Sequence, residues 1–164
     1  MLRPTTPADS PALVAVAAGT GVFKPHELVA LQEVLDDYHA TNHEYGHQAH
    51  TWAEGDTAVG FVYLAPTAMT DRTWELWWIA VEATRHGQGL GSKMLVAVEA
   101  AVQEAGGRLL LIETSSTPAY EPTRRFYLRH GYAEAARVAD FYADGDGKVI
   151  FAKRVETARG DRLA

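Results

Sequence analysis

Apolar and polar positions along the chain change period several times, and each change marks an element. Leu2 to Thr5 suits a short edge strand, Pro7-Ala-Asp-Ser-Pro11 punctuates, and Ala12 to Ala18 reads as a small-residue helix ending at Gly19. From Pro25 onward Leu28, Leu31, Val34, Leu35 and Tyr38 recur with the spacing of one helix face. Residues 46–53 and 57–65 then predict two strands joined by Glu54-Gly-Asp-Thr57, a hairpin turn. Trp74 to Glu82 is a further long strand. A glycine-rich stretch leads from it into Leu90, Met94, Leu95, Val98 and Val102, one face of a helix from Gly89 to Ala105 closed by Gly106-Gly107. Arg108 to Glu113 is nearly all apolar, as expected of a strand covered on both faces. Glu121-Pro122 starts a last helix that ends before Gly131, and Tyr132 to Ala139 and Lys148 to Val155 suit a final strand pair around Asp144-Gly-Asp-Gly147. With no repeat and no linker, the pattern predicts one mixed α/β domain over residues 1–156 and a frayed polar tail over 157–164.

Composition narrows the function classes. A chain of 164 residues is long enough to bury roughly two-thirds of its unfolded surface in one core. The formal net charge of −6 argues against nucleic-acid binding, which rests on clustered Lys and Arg. No apolar run approaches the ~20 residues of a bilayer-spanning helix, and residues 1–20 lack the basic start and apolar centre of a signal peptide, so no membrane role is expected. The absence of cysteine removes disulfides and thiol nucleophiles and fits a cytoplasmic setting.

Candidate chemistry concentrates at Glu82-Ala-Thr-Arg-His-Gly-Gln-Gly-Leu-Gly-Ser-Lys93. Gly87, Gly89 and Gly91 carry no side chain to hold a ligand away, and backbone amides at a helix start favour negative charge. The stretch reads as a diphosphate cradle. A dinucleotide-binding turn would instead sit near the first strand of a βαβ unit, with an acidic residue about 20 positions on. A purely structural turn is the other reading. His39, His43, His47 and His50 have partly helical spacing, but Tyr45-Gly46 breaks that helix, and no metal site is expected.

The segment His86-Gly-Gln-Gly-Leu-Gly91 resembles the Arg/Gln-x-x-Gly-x-Gly/Ala motif of the GNAT superfamily of acetyl-CoA-dependent N-acetyltransferases. Tyr120-Glu-Pro-Thr-Arg-Arg-Phe-Tyr-Leu-Arg-His-Gly-Tyr132 is similar to that family's Asn-x-x-Ala-x-x-Φ-Tyr-x-x-x-Gly-Phe/Tyr helix, and the element order of the whole chain is similar too. His86 replaces the usual Arg or Gln, and Tyr120 the usual Asn. The resemblance implies a single GNAT-like α/β (α+β) domain. Its sheet would be mixed and mostly antiparallel, six- to seven-stranded, with helices on both faces and a splay between the fourth and fifth strands. Acetyl-CoA would be the cosubstrate. Backbone groups at Ile79, Ala80 and Val81 would hold the pantetheine, and His86, Gly87, Gln88, Gly89, Leu90, Gly91 and Ser92 the diphosphate. Tyr120 and Tyr127 would add further contacts to the cofactor. Read from their charge alone, Arg124 and Arg125 could reach the 3′-phosphate of coenzyme A or simply bond solvent and helix neighbours.

Tyr127 also matches the tyrosine that several members use as general acid, and a phenol, which ordinarily titrates near ~10, is reasonably matched to a thiol. Glu75, six residues before Val81, matches the place where the histone-acetylating branch of the family has a catalytic glutamate. That makes it the candidate base, direct or water-relayed; an ion pair or a ligand-positioning carboxylate is the other reading. Strand alternation, barring a bulge, puts it on one face with Trp77, Ile79 and Val81, where neighbouring tryptophans would partly desolvate it. Phe23, Tyr38, Trp77, Phe141 and Tyr142 are candidate acceptor-site residues, with Asp36 and Asp37 available to attract a cation. The implied activity is transfer of acetyl to a primary amine, in a small molecule or a protein, by direct attack in a ternary complex, since no cysteine can carry a covalent acetyl group. The alternative is a non-catalytic acyl-CoA-binding sensor or regulatory module. Monomer and homodimer both remain open.

Overall fold

The helical and strand periods of the sequence appear as elements in the computed structural model, which describes residues 1–155. The strands are β1 (Leu2–Pro4), β2 (Gln48–Glu54), β3 (Thr57–Pro66), β4 (Thr73–Val81), β5 (Leu109–Ser115), β6 (Ala133–Ala143) and β7 (Asp146–Arg154). The helices are α1 (Ser10–Gly19), α2 (Pro25–Ala40), α3 (Leu90–Glu104) and α4 (Glu121–Arg129). The strands form one mixed seven-stranded sheet in the order β1-β2-β3-β4-β5-β7-β6, the fold class that the sequence predicts. The tail expected over Thr157–Ala164, and the boundary at 156, lie outside the described residues. Contacts divide the chain into two compact units, residues 1–65 with 76–98, and 66–75 with the chain from Glu99 onward.

In the first unit β2 pairs antiparallel with β1 (Leu2 opposite Trp52) and with β3 (Gln48 opposite Leu64). The hairpin turns at Gly55, with φ 59°. Leu13, Val16 and Ala17 of α1 and Leu31 and Leu35 of α2 bury against Phe61 and Ala80, with Phe23 and Trp78 packed at the margin. Removing each such Leu from water contributes about 1.5–3 kcal/mol. Pro25 occupies the first turn of α2, where its missing N–H costs nothing, and the Glu27 carboxylate accepts the Lys24 N–H at 2.6 Å. The helix ends at Ala40. Residues Asn42–Tyr45 make a 3-10 turn, and Gly46 turns the chain into β2 with φ 86°.

In the second unit β7 pairs antiparallel with both β5 and β6. Phe151, Tyr127 and Tyr132 fill its core, with Tyr127 ring centroids 5.6 Å from Phe151 and 5.9 Å from Tyr132. The Tyr132 hydroxyl donates to Glu99 at 3.0 Å, and Lys153 bridges the same carboxylate to the His130 carbonyl. The strand pair expected to stop at Ala139 runs on to Ala143, because the chain bulges between Val138 and Ala143 and turns only at Asp144-Gly145. Asp140 takes φ 53° in that bulge, and its carboxylate accepts the Gly145 N–H at 2.7 Å.

Candidate active site

The glycine turn grows directly from the end of β4. Residues Ala83–Arg85 form a 3-10 turn, His86 is extended, Gly87 and Gly89 take φ 75° and 77°, and α3 begins at Leu90. A methyl group built on either glycine meets no atom of the described residues within 4 Å. The left-handed backbone requires glycine there, yet the space above it is open, which suits close approach by an outside group. A helix starting at Leu90 also leaves its first-turn N–H groups without intrahelical carbonyls.

Side chains around the turn face its own backbone. The Nε2–H of His86 donates to the Val81 carbonyl at 2.8 Å, and Gln88 donates to the Thr84 carbonyl at 3.1 Å. Arg85 pairs with Glu54 at 2.7 Å, and the Glu82 N–H bonds Val59 at 2.8 Å. His86 and Gln88, expected on a diphosphate, thus brace the loop in this structure, while the backbone of 87–91 supplies the open surface. Leu90 is buried and anchors the helix start, and Ser92 is half-buried.

On β4, Trp78 and Ala80 pack with Phe61, and the Trp77 ring lies 5.4 Å from Tyr63. Ile79, Val81 and Glu75 are all half-buried.

Trp77 belongs to an aromatic wall that includes two residues the sequence reading did not select. Tyr63 is fully buried, and its hydroxyl hydrogen-bonds His47 Nδ1 at 2.7 Å and the Asn42 side chain. The His47 ring stands edge-on to Trp77 at 5.4 Å, and Tyr38 stands edge-on to Tyr63 at 5.8 Å. Burial pushes the Tyr63 phenol up to about 12 and holds the His47 imidazole below its ordinary value, so at neutral pH both are uncharged. The wall opens at Trp77, 44% exposed. Phe23 is not in it, packing instead on Trp78 at 5.4 Å. His47 had a signal only as one of four spaced histidines, and the end of α2 at Ala40 separates those. Tyr63 looks like any aromatic in an apolar strand.

The second unit carries the remaining candidates. Tyr127 is buried in α4, and loss of solvent, with Tyr120 adding to it, raises its phenol well above the ordinary tyrosine range. It therefore holds its proton at neutral pH, as a proton donor must. Tyr120 is in a 3-10 turn ahead of α4, and Tyr127 is in the helix itself. Arg124 donates from Nη1 to the carbonyls of Ser115 (2.7 Å) and Thr117 (2.9 Å), clamping the turn that follows β5. Phe141 and Tyr142 stand in the β6 bulge, edge-to-face at 5.0 Å, with Lys148 3.7 Å over the Phe141 ring.

Residues 47–134 match the family model described as Acetyltransferase (GNAT) domain. Among solved structures, the chain is similar to a protein described as an acetyltransferase of the GNAT family from Desulfovibrio desulfuricans. The identity is 36%, the TM-score 0.90, and the alignment covers 94% of this chain and 98% of that one. An aminoglycoside 6′-N-acetyltransferase complexed with coenzyme A superposes with TM-score 0.74 at 17% identity, over 98% and 99% of the two chains. The ribosomal-protein-S18-alanine N-acetyltransferase from Escherichia coli gives TM-score 0.76 at 18% identity, over 100% and 98%. These last two share the fold. No curated protein matches the chain.

Proposed function

The chain belongs to the GNAT acetyltransferase family, and from that premise we propose that it moves an acetyl group from acetyl-CoA to a primary amine by direct attack in a ternary complex. The observation that carries this reading is the strand–turn–helix cradle, where Gly87 and Gly89 hold left-handed backbone and no atom of the described residues lies within 4 Å of a methyl built on either. A diphosphate of coenzyme A fits that surface, because backbone N–H groups at a helix start attract anions and glycine lets them approach.

Acetyl-CoA supplies the thioester acetyl group. Glu75 takes the proton that the attacking amine gives up, directly or through water, as an amide bond forms and the thioester C–S bond breaks. Tyr127, whose phenol is protonated at neutral pH, returns a proton to the departing thiolate. The main-chain amides of Ile79, Ala80 and Val81 hold the pantetheine, and those of residues 87–92 the diphosphate. The lack of cysteine supports direct transfer over a covalent acetyl-enzyme.

Calorimetric titration with coenzyme A, together with thiol release from acetyl-CoA in the presence of an amine panel, tests the reading. Binding and amine-dependent thiol release are expected. Tyr127→Phe should lower kcat at least ~100-fold and Glu75→Gln a similar amount, the usual worth of a positioned acid or base. Wild-type kcat in both variants would remove the assigned roles, and failure of coenzyme A to bind would remove the function itself.

A further inference from the structure

The aromatic wall of the first unit has a charge setting that the transfer reaction does not explain. No Lys or Arg occurs between Lys24 and Arg72, whereas Pro25 to Ala65 holds seven carboxylates, Asp36, Asp37 and Glu44 among them. Asp36 and Asp37 are exposed in the last turns of α2 beside Tyr38, and Asp37 acts electrostatically on Tyr63. The wall therefore presents a half-exposed indole, backed by Tyr63 and edge-on to His47, with the Asp37 carboxylate acting on Tyr63 behind it. Ring faces attract cations, most strongly those of tryptophan, and a negative field steers them in. The His47–Tyr63 hydrogen bond fixes the imidazole against Trp77, so the ring is held ready before anything binds.

A cation-recognising surface cannot serve the reacting nitrogen alone, because that nitrogen must lose its charge before it attacks and the attraction disappears with it. We propose that the Trp77–Tyr63–His47–Tyr38 wall holds a second, persistently charged ammonium of the acceptor, so that the substrate is a di- or polyamine. This deepens the proposed function and rests on it. Trp77 makes the ring-face contact, while His47 and Tyr63 are positioning residues that act through Trp77.

The test uses the full chain and three matched probes: cadaverine, with two ammonium groups, n-pentylamine, with one, and 5-aminovalerate, in which a carboxylate replaces the second ammonium. Thiol release should give kcat/KM in the order cadaverine, pentylamine, aminovalerate, with about tenfold between the first two, the size expected of a partly desolvated cation–ring contact. Trp77→Leu should bring the cadaverine-to-pentylamine ratio close to one, through KM for cadaverine. Trp77→Phe should keep part of the preference. His47→Gln, which removes the edge-on brace, should reduce the ratio without abolishing it, and serves as the second variant should Trp77→Leu not fold. Equal kcat/KM for the three probes, or an unchanged ratio in Trp77→Leu, overturns the proposal while leaving acetyl transfer intact. Cadaverine binding by calorimetry gives an arm independent of turnover. Loss of that binding in Trp77→Leu supports the wall, and equal or absent binding in the wild type and the variant sinks it. Absence of thiol release with every amine counts against acetyl transfer alone.

Discussion

The Nε2–H of His86 donates to the Val81 carbonyl at 2.8 Å, tying the residue that opens the glycine turn back to the last residue of β4. A carbonyl only accepts, so this bond fixes which ring nitrogen carries the proton. The side chain thereby shapes the cradle from behind, and a change there acts on the cofactor through the backbone. His86→Ala removes a hydrogen bond of about 1 kcal/mol net, and the acetyl-CoA Kd is expected to rise about fivefold. His86→Gln keeps a donor and should recover most of the affinity. Calorimetry on the three proteins checks it, and an unchanged Kd in the alanine variant means the turn holds its shape without the latch.

Gly89 and Gly55 form a matched pair for testing the cradle itself. Both take left-handed backbone, with φ 77° and 59°, and a methyl group on either meets nothing within 4 Å. Alanine at each position costs about 1–2 kcal/mol of backbone strain. In a chain of this size that lowers the melting temperature by about 2–4 °C per kcal/mol. Only at Gly89 would the methyl also stand where a phosphate approaches. Gly89→Ala should therefore raise the acetyl-CoA Kd more than tenfold, while Gly55→Ala, in the β2–β3 hairpin, shows the thermal loss alone. Equal Kd values in the two variants would place the diphosphate elsewhere.

Much of this was legible in the residues. The period of Leu28, Leu31, Val34, Leu35 and Tyr38 locates α2, and the glycines at 87 and 89 announce a turn whose backbone matters more than its side chains. Features that depend on contacts between distant residues were not legible. The contact of Trp77 with Tyr63, and of Trp78 with Phe23, leaves no local mark in an apolar strand. The pairing of His47 with Tyr63 joins residues 16 apart across the β2–β3 hairpin, and nothing in the local pattern around either residue marks it. The charge of Arg124 suited a phosphate or its neighbours equally, and only the carbonyls facing its Nη1 show the clamp.

Buried tyrosines make stability depend on alkaline pH. Burial raises the phenols of Tyr127 and Tyr132 well above the ordinary value near 10, with the Glu99 carboxylate adding to the effect at Tyr132. In the unfolded chain each ionises near ~10, whereas the folded chain keeps the proton, so the unfolded state binds fewer protons above that pH. Stability from these groups is complete below about pH 10 and falls as pH rises above it, by roughly 1.4 kcal/mol per pH unit for each phenol. Denaturant titrations between pH 9 and 11 should show the decline. Tyr127→Phe should make it shallower, and the same slope in wild type and variant would mean the phenol ionises in the folded state.

Arg124 separates a structural cation from a ligand-binding one. Its Nη1 donates to Ser115 and Thr117 carbonyls, and Ser115 Oγ in turn donates to the buried Asp146 carboxylate at 2.6 Å, so the turn leading to Tyr120 and α4 is held from two sides. Hydrogen bonds from a charged group contribute about 1.5–3 kcal/mol, and Arg124→Ala should lower the melting temperature accordingly. A role on the 3′-phosphate of coenzyme A predicts something else: a loss of affinity confined to the phosphorylated cofactor. Kd values for coenzyme A and 3′-dephospho-coenzyme A, measured on wild type and Arg124→Ala, distinguish the two. With the clamp, any weakening is the same for both cofactors, because the guanidinium is occupied by main-chain oxygens rather than by the ligand. A loss several-fold larger for coenzyme A would return Arg124 to the cofactor site.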